Sequence, residues 1–585
     1  MRNIPAIRAA PQGAPLRARC VPSCRTARRP MRAEDRSMRS FAAAGIALFV
    51  SCAAPSARAE IAAPVLEWQR CASSYCDRAW YASPALVETD GAPLVLGGGA
   101  RLLAVRGDTG ALAWTYPPAG SAGRIWPAVA VADVDGDGAR EIAVVQYDAL
   151  SVLDASGALR PGWPVSPFAT GEMRTLAVAD LDGDGAHELL TAATSGSSSG
   201  ARPTWTVLDG SGAVRAGWPR LASGDAGWAA GAYNQNLAAG DLDGDGELEI
   251  AASSDVHYLA AFGDDGAPLA ASAIYGAGKT WAQVGVHWDP AVDLRGWANC
   301  AAGPPLEPRP NFADAAPAIG DLDGDGANEI VIVGGFYDCR ADGYPQLFQV
   351  PMVFAADRTR WRAGPHDWTT PPAPDAFAAP LSLDYEEIES AEANPVLADL
   401  DGDGAKEILY ASYDGRVHAF WLDGAEHGAW PFDVSNDADP DRKRFASEPV
   451  VADLDGDGAA EVLFATWTDK ASGASGDLVI AGALGQERAR TALPRSTASW
   501  DGALAAPTLA QLDADANLEV IVNTAHTGLV AYEIPGSSQA RVVWPTGRGG
   551  FARAAPEPSG ALAAACALGA LAATARLRRA AAVAP

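Results

Sequence analysis

The sequence predicts an all-β fold: a ring of four-stranded antiparallel blades, eight in number, or seven if one terminal unit completes another blade. Three observations predict this β-propeller. The pattern Asp-x-Asp-Gly-Asp-Gly-x-x-Glu occurs six times, beginning at Asp133, Asp180, Asp241, Asp321, Asp399 and Asp453. Each copy sits between two short apolar runs of strand character, such as Pro395-Val396-Leu397-Ala398 before the fifth loop and Ile408 to Ser412 after it. The copies recur at intervals of tens of residues, and units repeated at that period build one closed or stacked body because none can bury its apolar face alone.

Composition agrees with a folded body. The 585 residues are 48% apolar and 20% charged, with a net charge of −28, and that balance is not that of a disordered acidic chain. Residues 1–59 and 549–585 are rich in Arg, so the body between them is more acidic than the whole. A surface of this sign repels a nucleic-acid backbone.

The N-terminal 59 residues read as an extension and a signal peptide. Met38-Arg39-Ser40, the apolar run Phe41 to Val50 and the small-residue sequence Ser56-Ala57-Arg58-Ala59 predict translation from Met38 and cleavage after Ala59. Residues 60–82 form a lead-in carrying Cys71 and Cys76, and 83–548 is the propeller. Outside the two ends four cysteines remain, Cys71, Cys76, Cys300 and Cys339. An even count in an exported chain suggests two disulfides, with 71–76 and 300–339 favoured by proximity in sequence among three possible pairings.

Within the body, the unit around Asp399 shows the plan most clearly. After the strands flanking its loop come the turn Asp414-Gly415, a third strand Arg416 to Trp421, and Leu422-Asp423-Gly424 turning towards a closing segment that ends at Trp430-Pro431. An earlier unit without the acidic set is visible in Ala85-Leu86-Val87, Pro93 to Leu96, Leu102 to Val105 and Ala111 to Trp114. A last unit contains Gln511-Leu512-Asp513-Ala514-Asp515-Ala516-Asn517-Leu518-Glu519, which lacks the first Asp and both glycines and is expected to bind metal weakly or not at all. Trp163, Trp218, Trp430 and Trp544, each before a Pro, are expected to pack between blades.

Each acidic loop gathers four carboxylates round one point, a cluster that repels itself unless a hard cation fills it. The ligands read from the pattern are Asp133, Asp135, Asp137 and Glu141; Asp180, Asp182, Asp184 and Glu188; Asp241, Asp243, Asp245 and Glu249; Asp321, Asp323, Asp325 and Glu329; Asp399, Asp401, Asp403 and Glu407; and Asp453, Asp455, Asp457 and Glu461. An all-oxygen set disfavours zinc and copper and favours calcium, about six ions in all. The EF-hand alternative fails, because its bidentate Glu belongs at position 12, where these loops carry Val144, Thr191, Ala252, Ile332, Tyr410 and Phe464. The loops resemble the FG-GAP or VCBS repeats of integrin α-subunit propellers and their bacterial relatives over roughly residues 83 to 546. That resemblance implies calcium ions that mainly rigidify blades.

The C-terminal segment 549–585 carries Pro556-Glu557-Pro558-Ser559, an Ala-rich stretch from Gly560 to Ala575 and then Arg576-Leu577-Arg578-Arg579. It resembles the PEP-CTERM sorting signal of Gram-negative bacteria. The resemblance implies transient membrane contact through a short helix, processing by an exosortase-type enzyme, and delivery to the cell surface or beyond.

Two insertions, about 271–315 and 336–393, are the expected seats of ligand contact on an otherwise rigid ring. Trp281, Trp288, Trp297, Trp361 and Trp368 are candidates for stacking on a sugar, and His287, Asp289 and Arg295 for an acid/base group of the kind some polysaccharide lyases use. No nucleophilic or phosphate-binding motif stands out. The function expected is a cell-surface or extracellular binding or adhesion module for polysaccharide or protein. The alternatives are a lyase-like carbohydrate-active enzyme working on the insertion face and a structural matrix protein.

Overall fold

The structure, a computed structural model, describes residues 61–554 apart from 72–78, 117–123, 195–203, 219–228, 230, 295–307, 338–347, 376, 383, 385–386, 388–389, 435–442, 470–474 and 499–500. The predicted signal peptide, residues 555–585 of the PEP-CTERM-like segment, and Cys76, Cys300 and Cys339 with their pairings lie outside these residues.

The chain is an eight-bladed, all-β propeller of small antiparallel sheets with almost no helix. Blade 1 uses the four runs read from sequence, as Ala85–Val87, Leu94–Gly98, Leu102–Arg106 and Leu112–Tyr116. Blades 2, 3 and 4 have three regular strands each: Ala130–Ala132, Glu141–Gln146 and Ala149–Leu153; Met173–Ala179, Glu188–Ala193 and Trp205–Leu208; Leu237–Gly240, Glu249–Ala252 and Ala260–Phe262. Blade 5 is Ala318–Gly320, Glu329–Tyr337 and Phe348–Phe354, with Arg309–Asn311 on its second strand. Blade 6 is Val396–Ala398, Glu407–Ala411, Arg416–Phe420 and Phe432–Asp433; blade 7 is Val450–Asp453, Glu461–Thr468, Asp477–Ala481 and Glu487–Ala492.

Blade 8 joins strands from early and late in the described residues. Thr508–Ala510, Leu518–Thr524 and Gly528–Ile534 are covered on the outside by the N-terminal strand Val65–Arg70. The ring is therefore closed by backbone pairing across more than four hundred residues, which covers the edge of Gly528–Ile534.

Neighbouring blades are stitched by outer-strand tryptophans. The indole N–H of Trp68 donates to the Gly107 carbonyl (2.7 Å), Trp114 to Ala155 (3.1 Å), Trp163 to Gly210 (3.3 Å), Trp218 to Asp264 (3.5 Å), Trp368 to Leu422 (3.1 Å) and Trp430 to Ala483 (2.9 Å). In every case the acceptor lies in a hairpin of the next blade. An indole that fills the wedge between two twisted sheets has its one donor satisfied there. Trp544 departs from this pattern: it is fully buried on the strand Arg541–Trp544, which runs beside the first strand of blade 7.

That strand begins an arm that fills the axis. Around the centre the first strands of blades 1 to 6 touch one another in succession, and Arg541–Trp544 touches those of blades 6 and 7. Pro545 to Ala554 crosses them in turn: Leu509 donates to the Pro545 carbonyl, Val131 to Phe551, Val178 to Ala552 and Ala239 to Ala554, all at 2.7–2.9 Å. Arg548 and Arg553 are buried within it. Arg548 Nη2 donates to the carbonyls of Leu237 and Pro317, and Arg553 donates to those of Ser83, Pro84, Val129 and Gly547. Six residues of the segment assigned from sequence to sorting, 549–554, thus pack against the blades, with Gly549, Arg553 and Ala554 buried.

The insertions differ from expectation in one respect. Phe348–Phe354, inside the 336–393 segment, is the third strand of blade 5, paired with Glu329–Tyr337 along its whole length. The long connection 338–347 separates the two strands in sequence, so the apolar run after it did not read as part of a blade. Further along the segment, Arg362–Ala363 pairs with His366–Asp367 in a small hairpin. Among the described residues no helix is long and apolar enough to cross a membrane.

Candidate metal centres

All six acidic loops adopt one geometry, set by their glycines. In the Asp399 loop Gly402 and Gly404 take φ of 79° and 94°, where a side chain would be strained, and the backbone curls round the first aspartate. Asp399 accepts N–H bonds from Gly402 (2.7 Å) and Gly404 (3.1 Å), and Asp403 accepts from Ala405 (2.8 Å). The glutamate at position 9 starts the next strand and is buried, and its Oε2 accepts the N–H of position 2. Leu400 donates to Glu407 at 2.7 Å, and Val134, Leu181, Leu242, Leu322 and Leu454 make the same bond to Glu141, Glu188, Glu249, Glu329 and Glu461.

This geometry brings the predicted ligands together. Asp133, Asp135 and Glu141; Asp180, Asp182 and Glu188; Asp241, Asp243 and Glu249; and Asp321, Asp323 and Asp325 each offer carboxylate oxygens within 4.8 Å of one another. Burial, reinforced by the aspartates facing it, pushes Glu249 up to about 6, Glu329 and Glu461 to about 7 and Glu407 to about 8. Burial likewise raises Glu141 and Glu188. Asp133 Oδ1, Asp180 Oδ1, Asp455 Oδ2 and Glu407 Oε1 are buried without a hydrogen-bond partner. Such atoms are costly unless something binds them. Such an oxygen occurs in four of the six loops, one in each, and the carboxylate set around it fits a calcium ion, which would neutralise the cluster and lock the loop to the strand behind it.

The loops are not equivalent, and spacing gave no hint of the difference. In blades 2, 3 and 7 an arginine two residues past the third-strand hairpin reaches into the acidic set. Arg160 pairs with Asp135 and lies 3.8 Å from both Asp137 and Glu141; Arg215 meets Asp182 and Glu188 at 2.9 Å; Arg488 is 3.6 Å from Glu461. The equivalent positions of blades 4, 5 and 6 hold Leu269, Trp361 and His427. In blade 6, Trp421 Nε1 donates to Asp401 instead (3.0 Å).

His287 and Asp289 are each held in a separate contact. His287 is 1% exposed; its Nδ1 lies 3.0 Å from Asp293 Oδ1, and Arg360 clamps the other oxygen of Asp293 at 3.1 and 2.9 Å. The Asp289 carboxylate instead caps the short helix Pro290–Asp293 by accepting the Ala291 N–H at 2.8 Å. Arg295 and Trp297 lie outside the described residues. Trp281, Trp361 and Trp368 are core residues at 1%, 4% and 2% exposure, which removes them as sugar platforms, and Trp288 packs edge-on against Phe336 and Phe348. Aromatic residues in an insertion look exposed in sequence, but here the insertion folds back over blades 4 and 5.

Where the first strands converge, a small polar cavity is lined in part by Tyr81, Gln235, Glu392, Asn394 and Glu448. The arm backbone closes on it: Arg548 N–H donates to Glu448 Oε1 at 2.6 Å, and Asn394 donates to Glu448 Oε2 at 3.0 Å. These residues are scattered along the chain, and no local pattern marks them.

Comparison with known proteins follows the same lines. A family model described as an FG-GAP-like repeat matches residues 133–191 and 399–464. No curated protein matches the chain significantly. Solved structures similar to it include the V. cholerae biofilm matrix protein Bap1, at 15% identity over 82% of this chain and 92% of that one with a TM-score of 0.46. Others are the exotype rhamnogalacturonan lyase YesX, at 15% identity over 80% and 75% with a TM-score of 0.44, and BamB from Moraxella catarrhalis, at 13% over 81% and 98% with a TM-score of 0.38. The protein carries FG-GAP-like repeats, set in an eight-bladed β-propeller whose acidic loops have the donor set of a hard-cation site.

Proposed function

We propose that this chain is an exported, calcium-stabilised propeller that acts at the cell surface or outside the cell as a binding or adhesion module for polysaccharide or protein. The observation that carries the reading is the repeated loop with buried, unpartnered carboxylate oxygens, a design suited to the calcium concentrations met by extracellular modules, about 10⁻⁴–10⁻³ M. The axis is occupied by the chain's own arm, so contact with a partner falls to the faces of the ring and its insertions. Residues 1–59 and 549–585 supply the addresses in this reading, through signal-peptide cleavage after Ala59 and exosortase-type processing near Pro556. The test is a glycan and surface-protein array probed with the mature chain, with and without chelator, beside an ultraviolet assay for unsaturated uronate products. Calcium-dependent capture without product supports a binding module. Product formation would replace it with a lyase, and no ligand in either assay would favour a matrix role.

A further inference from the structure

The loop of blade 8 lacks its first aspartate, yet the fold delivers another carboxylate to it. Glu67, on the N-terminal strand and more than four hundred residues away in sequence, places an oxygen within 4.8 Å of ligand oxygens of Asp513 and Glu519. Three features make this more than a cluster of acids. Leu66 pairs with Tyr532 and Trp68 with Ala531, so Glu67 is the extra residue of a β-bulge, released from the ladder. Bulges re-aim side chains. Trp68, next to it, is pinned by its N–H bond to the Gly107 carbonyl, which fixes the direction of the bulge. Glu519 is fully buried; its Oε2 accepts the Leu512 N–H at 2.5 Å, as in the six regular loops, while its Oε1 has no partner. The neighbouring acid Glu533 is engaged by Asn517 Nδ2 at 2.6 Å.

We infer that Glu67, Asp513 and Glu519 form a seventh calcium site, assembled from the N-terminal strand and the blade 8 loop, that latches the ring at its seam. Glu67 takes the place of the missing carboxylate at position 1, and Asp515 lies at the fifth position of the same loop. The strand pairing of Val65–Arg70 holds the two ends together, and the ion adds a bond that exists only when both ends are in place. The inference shares with the proposed function the choice of calcium as the ion; the site itself stands on the bulge and the unpartnered oxygen.

The test counts calcium bound to the full chain by native mass spectrometry, in wild type and in Glu67→Gln and Asp513→Asn. Each variant is expected to hold one ion fewer than wild type. Melting in calcium and in chelator gives the second readout. Glu67→Gln melts below wild type in calcium and at or above it in chelator, because there the substitution only removes a charge from beside Asp513, Asp515 and Glu533. An unchanged ion count, or a loss of melting temperature that is the same in both buffers, overturns the seam site. Such a result leaves the six regular loops, and the calcium reading built on them, untouched. Failure of wild type to bind any calcium would overturn both.

Discussion

Replacing Arg548 by Met tests whether the axial arm is held by its buried cation. The side chain is fully buried, and burial holds its guanidinium down at about 10, still charged at neutral pH. Burial likewise raises Glu448 and Glu392, the carboxyls that face it. Met keeps the length of the stem, so packing is largely retained. What is lost is the donor to the Leu237 and Pro317 carbonyls, each costing about 1–3 kcal/mol when left unpaired, and the countercharge for the two carboxyls. Removing one member of a buried charge set costs about 3–5 kcal/mol, so a loss of that size is expected in urea unfolding. The local readout is hydrogen exchange at Val131, Val178 and Ala239, whose amides donate to Phe551, Ala552 and Ala554 in the arm; their protection should fall before that of the outer strands. Adding Glu448→Gln should recover about 1–2 kcal/mol through the coupling of the two sites. Unchanged protection at those three amides, or a double variant as unstable as the sum of the singles, would refute the account.

Other expectations follow from the same structure. Glu329→Ala and Glu407→Ala should each remove one bound calcium and, with calcium at a hundredfold its Kd, about 2–3 kcal/mol of stability, read as a shift in the urea midpoint that disappears in chelator. Arg160→Gln and Arg215→Gln should tighten calcium binding in blades 2 and 3 by roughly two- to fivefold, since a part-exposed ion pair competing with the metal is worth about 0.5–1 kcal/mol; calorimetric titration checks this, and weaker binding would contradict it. His418 lies between Asp414 Oδ2 (3.1 Å) and Glu426 Oε1 (3.0 Å), with Arg416, Asp375 and Tyr410 around it, and although burial works against its charge those carboxylates raise it to about 9. Its folded value is above that of the unfolded chain, so its stabilisation, about 1–3 kcal/mol, is complete below about pH 6.5 and lost as pH rises through about 9. The gap in urea midpoint between wild type and His418→Asn should therefore be wide at the acid end of that window and narrow at the alkaline end. Trp430→Phe should cost about 1–2 kcal/mol more than Trp218→Phe, because its indole bond is 2.9 Å rather than 3.5 Å; equal costs would mean that the indoles act by packing alone.

Legibility followed the range of the interactions. The acidic loops were visible because their ligands lie within nine residues and their glycines mark the turns. Blade 6 was visible because alternation and turn residues agree along it. The Phe348–Phe354 strand was missed because a long connection breaks the local pattern, and Trp281, Trp361 and Trp368 were misjudged because a sequence does not say whether an insertion stands off the ring or folds onto it. Arg160, Arg215 and Arg488 could have been found by aligning the blades on their hairpins, since they recur at one position. Glu67 and the Glu392, Glu448 and Arg548 group carried no local signal.

By itself the sequence determined the repeat, the all-β class, the six acidic loops and the cation chemistry they suit, because each is written in contacts between near neighbours: Asp399 with Gly402 and Gly404, Leu400 with Glu407. Only the tertiary structure decided what closes and fills the ring. Val65–Arg70 seals blade 8, Pro545 to Ala554 occupies the axis, and Glu67 turns out of its strand towards Asp513 and Glu519. Most of those contacts join residues hundreds of positions apart, and they exist only because eight blades, once packed, bring Val65–Arg70 beside blade 8.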